Sequence, residues 1–346
     1  MKVIIIGASG QLGYAFYREL SQRDCQLVLV SRTDLPYAIE AAKAQHCRLD
    51  RKDSKGLHQL LKEGADWVID LLAFHPQDVV QLLQYQSNIG HLTVISSSSV
   101  YADIAGRTLD EAGLHGFPLF EKPIVETQAR VAPGNQTYST QKVAVENVLL
   151  EQAQVPFTIL RPCAIYGRFT HHPREWWVVK RILDQRPFIP ITYEGTSLFH
   201  TTAAQLVAQV GFAAFRHKTA AIVNVGDENP LTVYEIITCI ADYLGYEGKI
   251  SPIPAAKAPY QWVGVSPWSV PGPFLLDTTV SKELLAADHQ VLPNYKTAVL
   301  DAIGGLLQQA AGENWQVNYP QLAAYPFEQF NYALEEEYAK QYGLIS

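Results

Sequence analysis

The sequence predicts an α/β protein built on a doubly wound parallel sheet, with a smaller part contributed mainly by the later sequence. Three observations carry that reading. Short apolar runs alternate with helical patterns through the first half. A glycine-rich loop follows the first apolar run directly and opens the first helix. After Gly167 the alternation fades into a stretch rich in His, Trp and Pro. Strand–helix alternation implies βαβ units, and strands that are apolar along their whole length fit a sheet covered on both faces.

Taken in order, strands are expected at 3–6, at 26–31, ending at 47–49, at 66–71, at 92–96, at 157–160 and at 222–225. Helices are expected at 11–22, 54–63, 77–86, 136–152 and 203–215. His171, His172, Pro173, Trp176, Trp177, Pro187 and Pro190 mark an excursion from the sheet, with the adjacent tryptophans divided between core and surface. The expected division is a dinucleotide-binding part at 1–167, rejoined by 199–228, and a smaller substrate-binding part at 229–346 together with 168–198.

A chain of 346 residues that is 48% hydrophobic buries a sizeable core without disulfide or metal staples. Its net charge of −7 argues against nucleic acid and anionic membrane as partners. Cys25, Cys47, Cys163 and Cys239 lack C-x-x-C spacing and nearby histidine pairs, so they read as free thiols in a reducing compartment, with no metal site. The first residues run straight into a strand without a leader pattern, and no apolar run approaches about 18 residues, so a cytoplasmic location without a membrane span is expected.

Gly7-Ala8-Ser9-Gly10-Gln11-Leu12-Gly13 has the means to hold a pyrophosphate. Gly7 permits the tight turn, Gly10 lets the backbone approach the anion, and Gly13 lets helix and strand pack closely. The helix start adds free N–H groups and a positive dipole end. With Ser9, Gln11 and Leu12 this loop is the candidate dinucleotide site, and it makes the sheet one of Rossmann type. The second strand ends in Ser31-Arg32, with no acid until Asp34. A guanidinium there suits a 2′-phosphate, so NADP is expected in preference to NAD.

Tyr138 and Lys142 lie four residues apart and share a helix face. An ammonium beside a phenol lowers its pKa and makes it a usable acid and base, so the pair is the candidate catalytic centre. Ser97, within Ser96-Ser97-Ser98-Ser99-Val100-Tyr101, is the candidate donor to the same substrate oxygen. Strand alternation sets Ser97 and Ser99 on one face, and Ser96 and Ser98 on the other. Ser98, Tyr101 and His171 complete the candidate substrate contacts. Cys163 reads as a packing residue, and Asp110 and Glu111 as solvated loop residues.

Together these residues resemble the extended short-chain dehydrogenase/reductases, the superfamily of nucleotide-sugar epimerases and dehydratases, over roughly residues 1–245. Gly7 to Gly13 matches its nucleotide loop. Ser97, Tyr138 and Lys142 match its catalytic positions, and Glu146 continues that helix. Leu160-Arg161-Pro162-Cys163-Ala164-Ile165-Tyr166-Gly167 is similar to the segment beside the nicotinamide, which brings in Pro162, Cys163 and Ile165. Asp50 matches an adenine-contacting position. Three stretches are similar to the atypical branch: 66–74, which brings in Leu71, Leu72 and Ala73, then 198–202 and 224–228.

The resemblance implies hydride exchange between a nicotinamide cofactor and a carbonyl or secondary alcohol of a small-molecule substrate, a nucleotide sugar among the candidates. The same branch also holds cofactor-occupied binding proteins, including redox sensors and RNA-associated factors, and a homodimer is open. Three features depart from the pattern. Thr202-Ala203 stands where an Arg–Asp pair is usual, Thr196 falls near the usual diphosphate-binding base, and the stretch from Tyr101 to Tyr138 is longer.

Overall fold

A computed structural model describes residues 1–218, 221–309 and 314–344. The expected later part, 229–346, therefore includes positions 310–313 and 345–346 that lie outside the described residues.

Eleven strands are found among the described residues: β1 Lys2–Ile6, β2 Gln26–Ser31, β3 Ala44–Arg48, β4 Trp67–Asp70, β5 Leu92–Ile95, β6 Phe157–Pro162, β7 Ile165–Tyr166, β8 Phe188–Ile191, β9 Thr202–Ala203, β10 Ile222–Val225 and β11 Lys249–Pro252. Seven form one sheet in the order β10-β6-β5-β4-β1-β2-β3, and every neighbouring pair is parallel. The strand order reverses between β1 and β4, which opens a crevice at their carboxyl ends.

Alternation along the strands explains the two-faced burial. Val3, Ile5, Leu27, Leu29, Trp67 and Ile69 enter one apolar cluster. Ile4, Ile6, Val28, Val30 and Val68 enter the other. Side chains of period two divide between two layers of helices, so no face of the sheet meets water. The helix Gln11–Ser21 packs on Ala204–His217 on the first face, and Pro76–Leu83 packs on Tyr138–Gln152 on the second.

From β7 onward the chain builds a second, smaller group of elements. β8 pairs in parallel with β11, β7 pairs with β9, and helices at Trp176–Leu183, Val233–Tyr243 and Tyr295–Gln309 pack around them. Trp176, Trp177, Ile189, Trp268 and Leu322 belong to the same apolar cluster as β1 and β2, so one continuous core runs through both groups. The expected division of Trp176 and Trp177 between core and surface is corrected here. Both are buried, at 3% and 0% exposure: Tyr319 packs against the first, 5.5 Å between ring centroids, and Arg181 reaches across the second, 3.6 Å from its centroid. No described helix is long and apolar enough to cross a membrane.

Candidate functional site

A cleft of about 560 Å³ opens at the crevice predicted by the strand order. One wall is the glycine loop. Gly7 sits at φ +97°, a conformation that disfavours other residues, and its N–H and that of Ala8 both donate to the Val30 carbonyl at 2.9 Å. A Cβ on Gly13 would lie 2.4 Å from the Ala8 backbone, so only glycine lets the helix approach the strand this closely. Gly10 differs: a Cβ there would meet nothing within 4 Å, and no side chain caps the helix that starts beside it. An empty cradle and uncapped N–H groups are what a pyrophosphate fills. Gln11 adds a buried Oε1 without a partner.

The second wall runs from β4 into the helix Pro76–Leu83. Arg51, 6% exposed, fastens it at several points. Its guanidinium lies 3.0 Å from the Asp70 carboxylate and 3.2 Å from that of Asp78, and it donates to the carbonyls of Leu72 and Asp78 at 3.2 and 2.9 Å. Asp78 in turn accepts from the N–H groups of Phe74 and His75 at 3.0 and 2.9 Å. Leu71, Leu72 and Phe74 are thereby held along the cleft.

The third wall holds Ser97, Tyr138 and Lys142. Tyr138 is the first residue of its helix, whose capping residue is Thr137, and Asp110 accepts from the Ser139 N–H at 2.7 Å. Asp110 is thus a helix-start acceptor rather than a purely solvated loop residue. Ser97 and Tyr138 share a hydrogen bond. Lys142 is buried and donates to the carbonyls of Ala73 and Ile95 at 2.8 and 2.9 Å. Burial draws its pKa down to about 8, opposed chiefly by Asp70.

The Tyr138 ring keeps 44% exposure while its hydroxyl turns inward to Ser97. Desolvation pushes the phenol up to about 12, against the pull of the Ser97 bond, and Asp110 adds to the rise. This corrects the expectation that Lys142 depresses it. The ammonium is committed to two carbonyls and stands 5.7 Å from the ring centroid.

The cleft gathers Gly7, Gly10, Gln11, Leu12, Gly13, Leu71, Leu72, Ser97, Tyr138, Lys142, Pro162, Cys163, Ile165 and His171 from the sequence expectations. Ala73 joins through its carbonyl. Cys163 is a neutral thiol, pushed up to about 11 by burial.

Other expected contacts do not line it. Ser98 to Val100 form a 3₁₀ turn after β5, so alternation ends at Ser97, and Ser96 and Ser97 both face the cleft. The same turn carries Ser98 inward to a hydrogen bond with Cys163. It also buries Tyr101, which donates to Asn224 at 2.6 Å and accepts from Arg161 at 2.9 Å. Both are buried and neither lines the cleft. Ser31 spends its hydroxyl proton on the Thr33 carbonyl at 2.6 Å, with His46 Nε2 at 2.8 Å, and has no donor left for a phosphate. Ser9, Arg32 and Asp50 also lie off the cleft. Asp50 is exposed and accepts from the Lys52 N–H at 2.9 Å. Residues the sequence reading did not place in the site include Phe74, Ser96, Arg174 and Gln321.

Comparison with known proteins is decisive for the family. The model of the NAD dependent epimerase/dehydratase family matches residues 3–226, more than half of the chain. The chain belongs to that family. Among curated proteins it is 26% identical over 212 residues to the chloroplast stem-loop binding protein of 41 kDa b of Arabidopsis thaliana, covering 57% of this chain and 50% of that protein. The match thus spans about half the length of that relative.

Among solved structures, an epimerase of Methanothermobacter thermautotrophicus is similar at TM-score 0.66 and 16% identity, covering 92% of this chain and 94% of that one. UDP-glucuronic acid 4-epimerase of Bacillus cereus, in complex with UDP-glucuronic acid and NAD, is similar at TM-score 0.64 and 17% identity, covering 89% and 99%. dTDP-glucose 4,6-dehydratase of Bacillus anthracis, in complex with NAD, follows at 0.66 and 13%, covering 92% and 99%. At such identities the shared property is the fold.

Proposed function

We propose that this family member is an NAD(P)-dependent enzyme that acts on a carbonyl or secondary alcohol, with Tyr138 as acid and base. The observation that carries the reading is the convergence of Ser97, Tyr138 and Lys142 on one cleft with the open glycine loop. The nicotinamide supplies hydride exchange at the reacting carbon. The chain's own part is proton transfer and positioning. The Tyr138 hydroxyl gives its proton to the carbonyl oxygen in the reducing direction and takes it from the alcohol in the other. With a pKa near 12 in the free protein the phenol rests protonated at neutral pH, ready for the first of these. Ser97 orients the oxygen. Lys142 has three donors, of which two are bound to carbonyls, and the third is available to a ribose hydroxyl.

Gly10 tests the cofactor site. Gly10→Val should abolish dinucleotide binding by calorimetry while circular dichroism stays that of the wild type, since the added Cβ meets no protein atom within 4 Å. Unchanged affinity would mean the loop is only a turn.

The reading extends to NADP(H) in preference to NAD(H). Arg32 is exposed at the end of β2, and Asp34, the first acid beyond it, pairs with Arg48 at 3.6 Å instead of standing free for a ribose. Arg32→Ala should weaken NADP(H) by roughly ten- to a hundredfold, the range for losing a charge-assisted hydrogen bond, and leave NAD(H) little changed. Titration of both cofactors checks this, and equal losses for the two would refute it.

The stem-loop binding relative favours a second reading, a binding protein that has turned the cleft to cofactor retention. A gel shift with a structured RNA at low salt separates the two. The enzyme reading expects no shift, in keeping with a net charge of −7.

A further inference from the structure

A second cavity, of about 220 Å³, lies beside the helix Gln11–Ser21. Gln11 and Arg18 line it from that helix, two turns apart on one face. Gly167 and Arg168 enter from the turn after β7, and Ala298 and Asp301 from the helix Tyr295–Gln309. That last helix lies beyond residues 3–226, the stretch matched by the family model. Alanines on three elements supply the apolar surface. Among the described residues, Gln11 alone lines both this cavity and the cleft. A space below the roughly 300–1,000 Å³ of sites for drug-sized ligands suits a small metabolite.

The polar groups around this cavity are incompletely paired. The Gln11 Oε1 is buried without a partner, and a Cβ on Gly167 would stand 3.9 Å from it, which places the atom at the Gly167 wall. A buried carbonyl oxygen of this kind calls for a donor. Arg168 and Asp301 face each other at 3.7 Å, longer than the roughly 2.7–2.9 Å of a charge-assisted hydrogen bond. Arg168 gives its hydrogen bond to Gln308 instead. Where the chain closes such a pair, as Arg51 does on Asp70, the separation is 3.0 Å. Glu19, also on the lining, is taken by Arg23. Arg18 has no carboxylate within 4 Å among the described ion pairs and lies over the Tyr14 ring, 5.8 Å from its centroid. Two guanidinium groups are therefore open to an anion, while a carboxylate and an orphaned amide oxygen are open to an N–H cation. A ligand with only one of these charges would leave the other set unanswered.

We propose that this cavity binds a zwitterion of the α-amino acid class with a small apolar side chain. Its carboxylate is held by Arg18 and Arg168, its ammonium by Asp301 and the Gln11 Oε1, and its side chain by the alanine walls. The slack Arg168–Asp301 pair is then replaced by two closed ones. The site is separate from the acid–base residues, and Gln11 gives it a contact with the glycine loop.

The test titrates the full chain by calorimetry with L-alanine, L-valine and L-leucine, and with acetate and propylammonium as the two charged halves. At least one amino acid binds in the millimolar range or tighter, and neither half does. Arg168→Met and Asp301→Asn each weaken that amino acid about tenfold or more, and Ala298→Leu, which fills the cavity from its helix, abolishes binding. Melting curves verify that the variants are folded. Should Arg168→Met fail to fold, Asp301→Asn and Ala298→Leu carry the test. Absence of binding by all three amino acids, binding of acetate or propylammonium equal to theirs, or unchanged affinity in a folded variant overturns the proposal. The titration uses no dinucleotide, so its result leaves the cofactor and acid–base readings of the cleft untouched.

Discussion

Tyr138→Phe should leave dinucleotide binding nearly intact and lower turnover by roughly 10²–10⁴-fold, the usual worth of a positioned acid and base. The geometry makes the change clean. The phenol hydroxyl bonds Ser97 and the ring packs 6.5 Å from Phe74, so removing one oxygen preserves the ring and its apolar neighbour. The glycine loop lies on another element and keeps its shape. Once a turnover assay exists, steady-state rates and a cofactor titration on the same preparation decide the matter. Full activity removes Tyr138 from the chemistry. Loss of cofactor binding instead assigns it a structural part.

The second large effect lies beneath the site, in a charged cluster that touches no ligand. Glu146 is fully buried, and burial alone would raise its pKa. Bidentate donation from Arg161 at 2.8 and 2.6 Å, with Arg130 at 2.8 Å, outweighs that and holds the carboxylate below its ordinary range. Arg161 also donates to Tyr101 and to the Glu126 carbonyl, at 2.9 and 3.0 Å. Arg161→Met should cost about 3–5 kcal/mol of unfolding free energy, because it removes the bidentate partner of a fully buried carboxylate and leaves it only the partly exposed Arg130. Arg161→Met/Glu146→Leu should recover most of it.

The sign with pH follows. A carboxylate depressed in the native state lends stability at neutral pH that is lost as pH falls through its folded value, so the wild type should lose part of its margin in acid. Urea unfolding of the three proteins measures both effects, and a loss below about 1 kcal/mol in the single variant would contradict the burial argument.

The sheet was legible in the sequence because both of its faces are covered. Strands such as Val3 to Ile6 and Leu27 to Val30 are then unbroken apolar runs, and the glycine loop fixes the first crossover. The β2 and β10 boundaries fall where the pattern puts them, and the others shift by a few residues where strands fray into turns. The helix that carries Tyr138 and Lys142 was legible, and their four-residue spacing sets the two on one face.

The serine run was misread because period-two reasoning holds only while the chain stays extended, and the 3₁₀ turn at Ser98 ends it. Tyr101 was misread because its partner Asn224 lies 123 residues away, a pairing that no local pattern announces. The same is true of Arg174 and Gln321. One arrives from the excursion after β7 and the other from near the end of the described chain, and only packing brings them to one cleft. The lowering of the Tyr138 pKa failed for a different reason. Spacing specifies that Lys142 shares a face with it, but not that backbone carbonyls at Ala73 and Ile95 claim the ammonium first.

The fastening of the cleft wall by Arg51 bears on how much order must be created when a dinucleotide enters. A wall of loop residues that moved freely would lose conformational entropy on association, at a cost of the order of 1–2 kcal/mol for each residue immobilised. Here the backbone from Asp70 to Asp78 is already stapled to one guanidinium, and that guanidinium follows Asp50 directly in the chain. That wall of the groove is thus preorganised. Little of the interaction energy is diverted into ordering it.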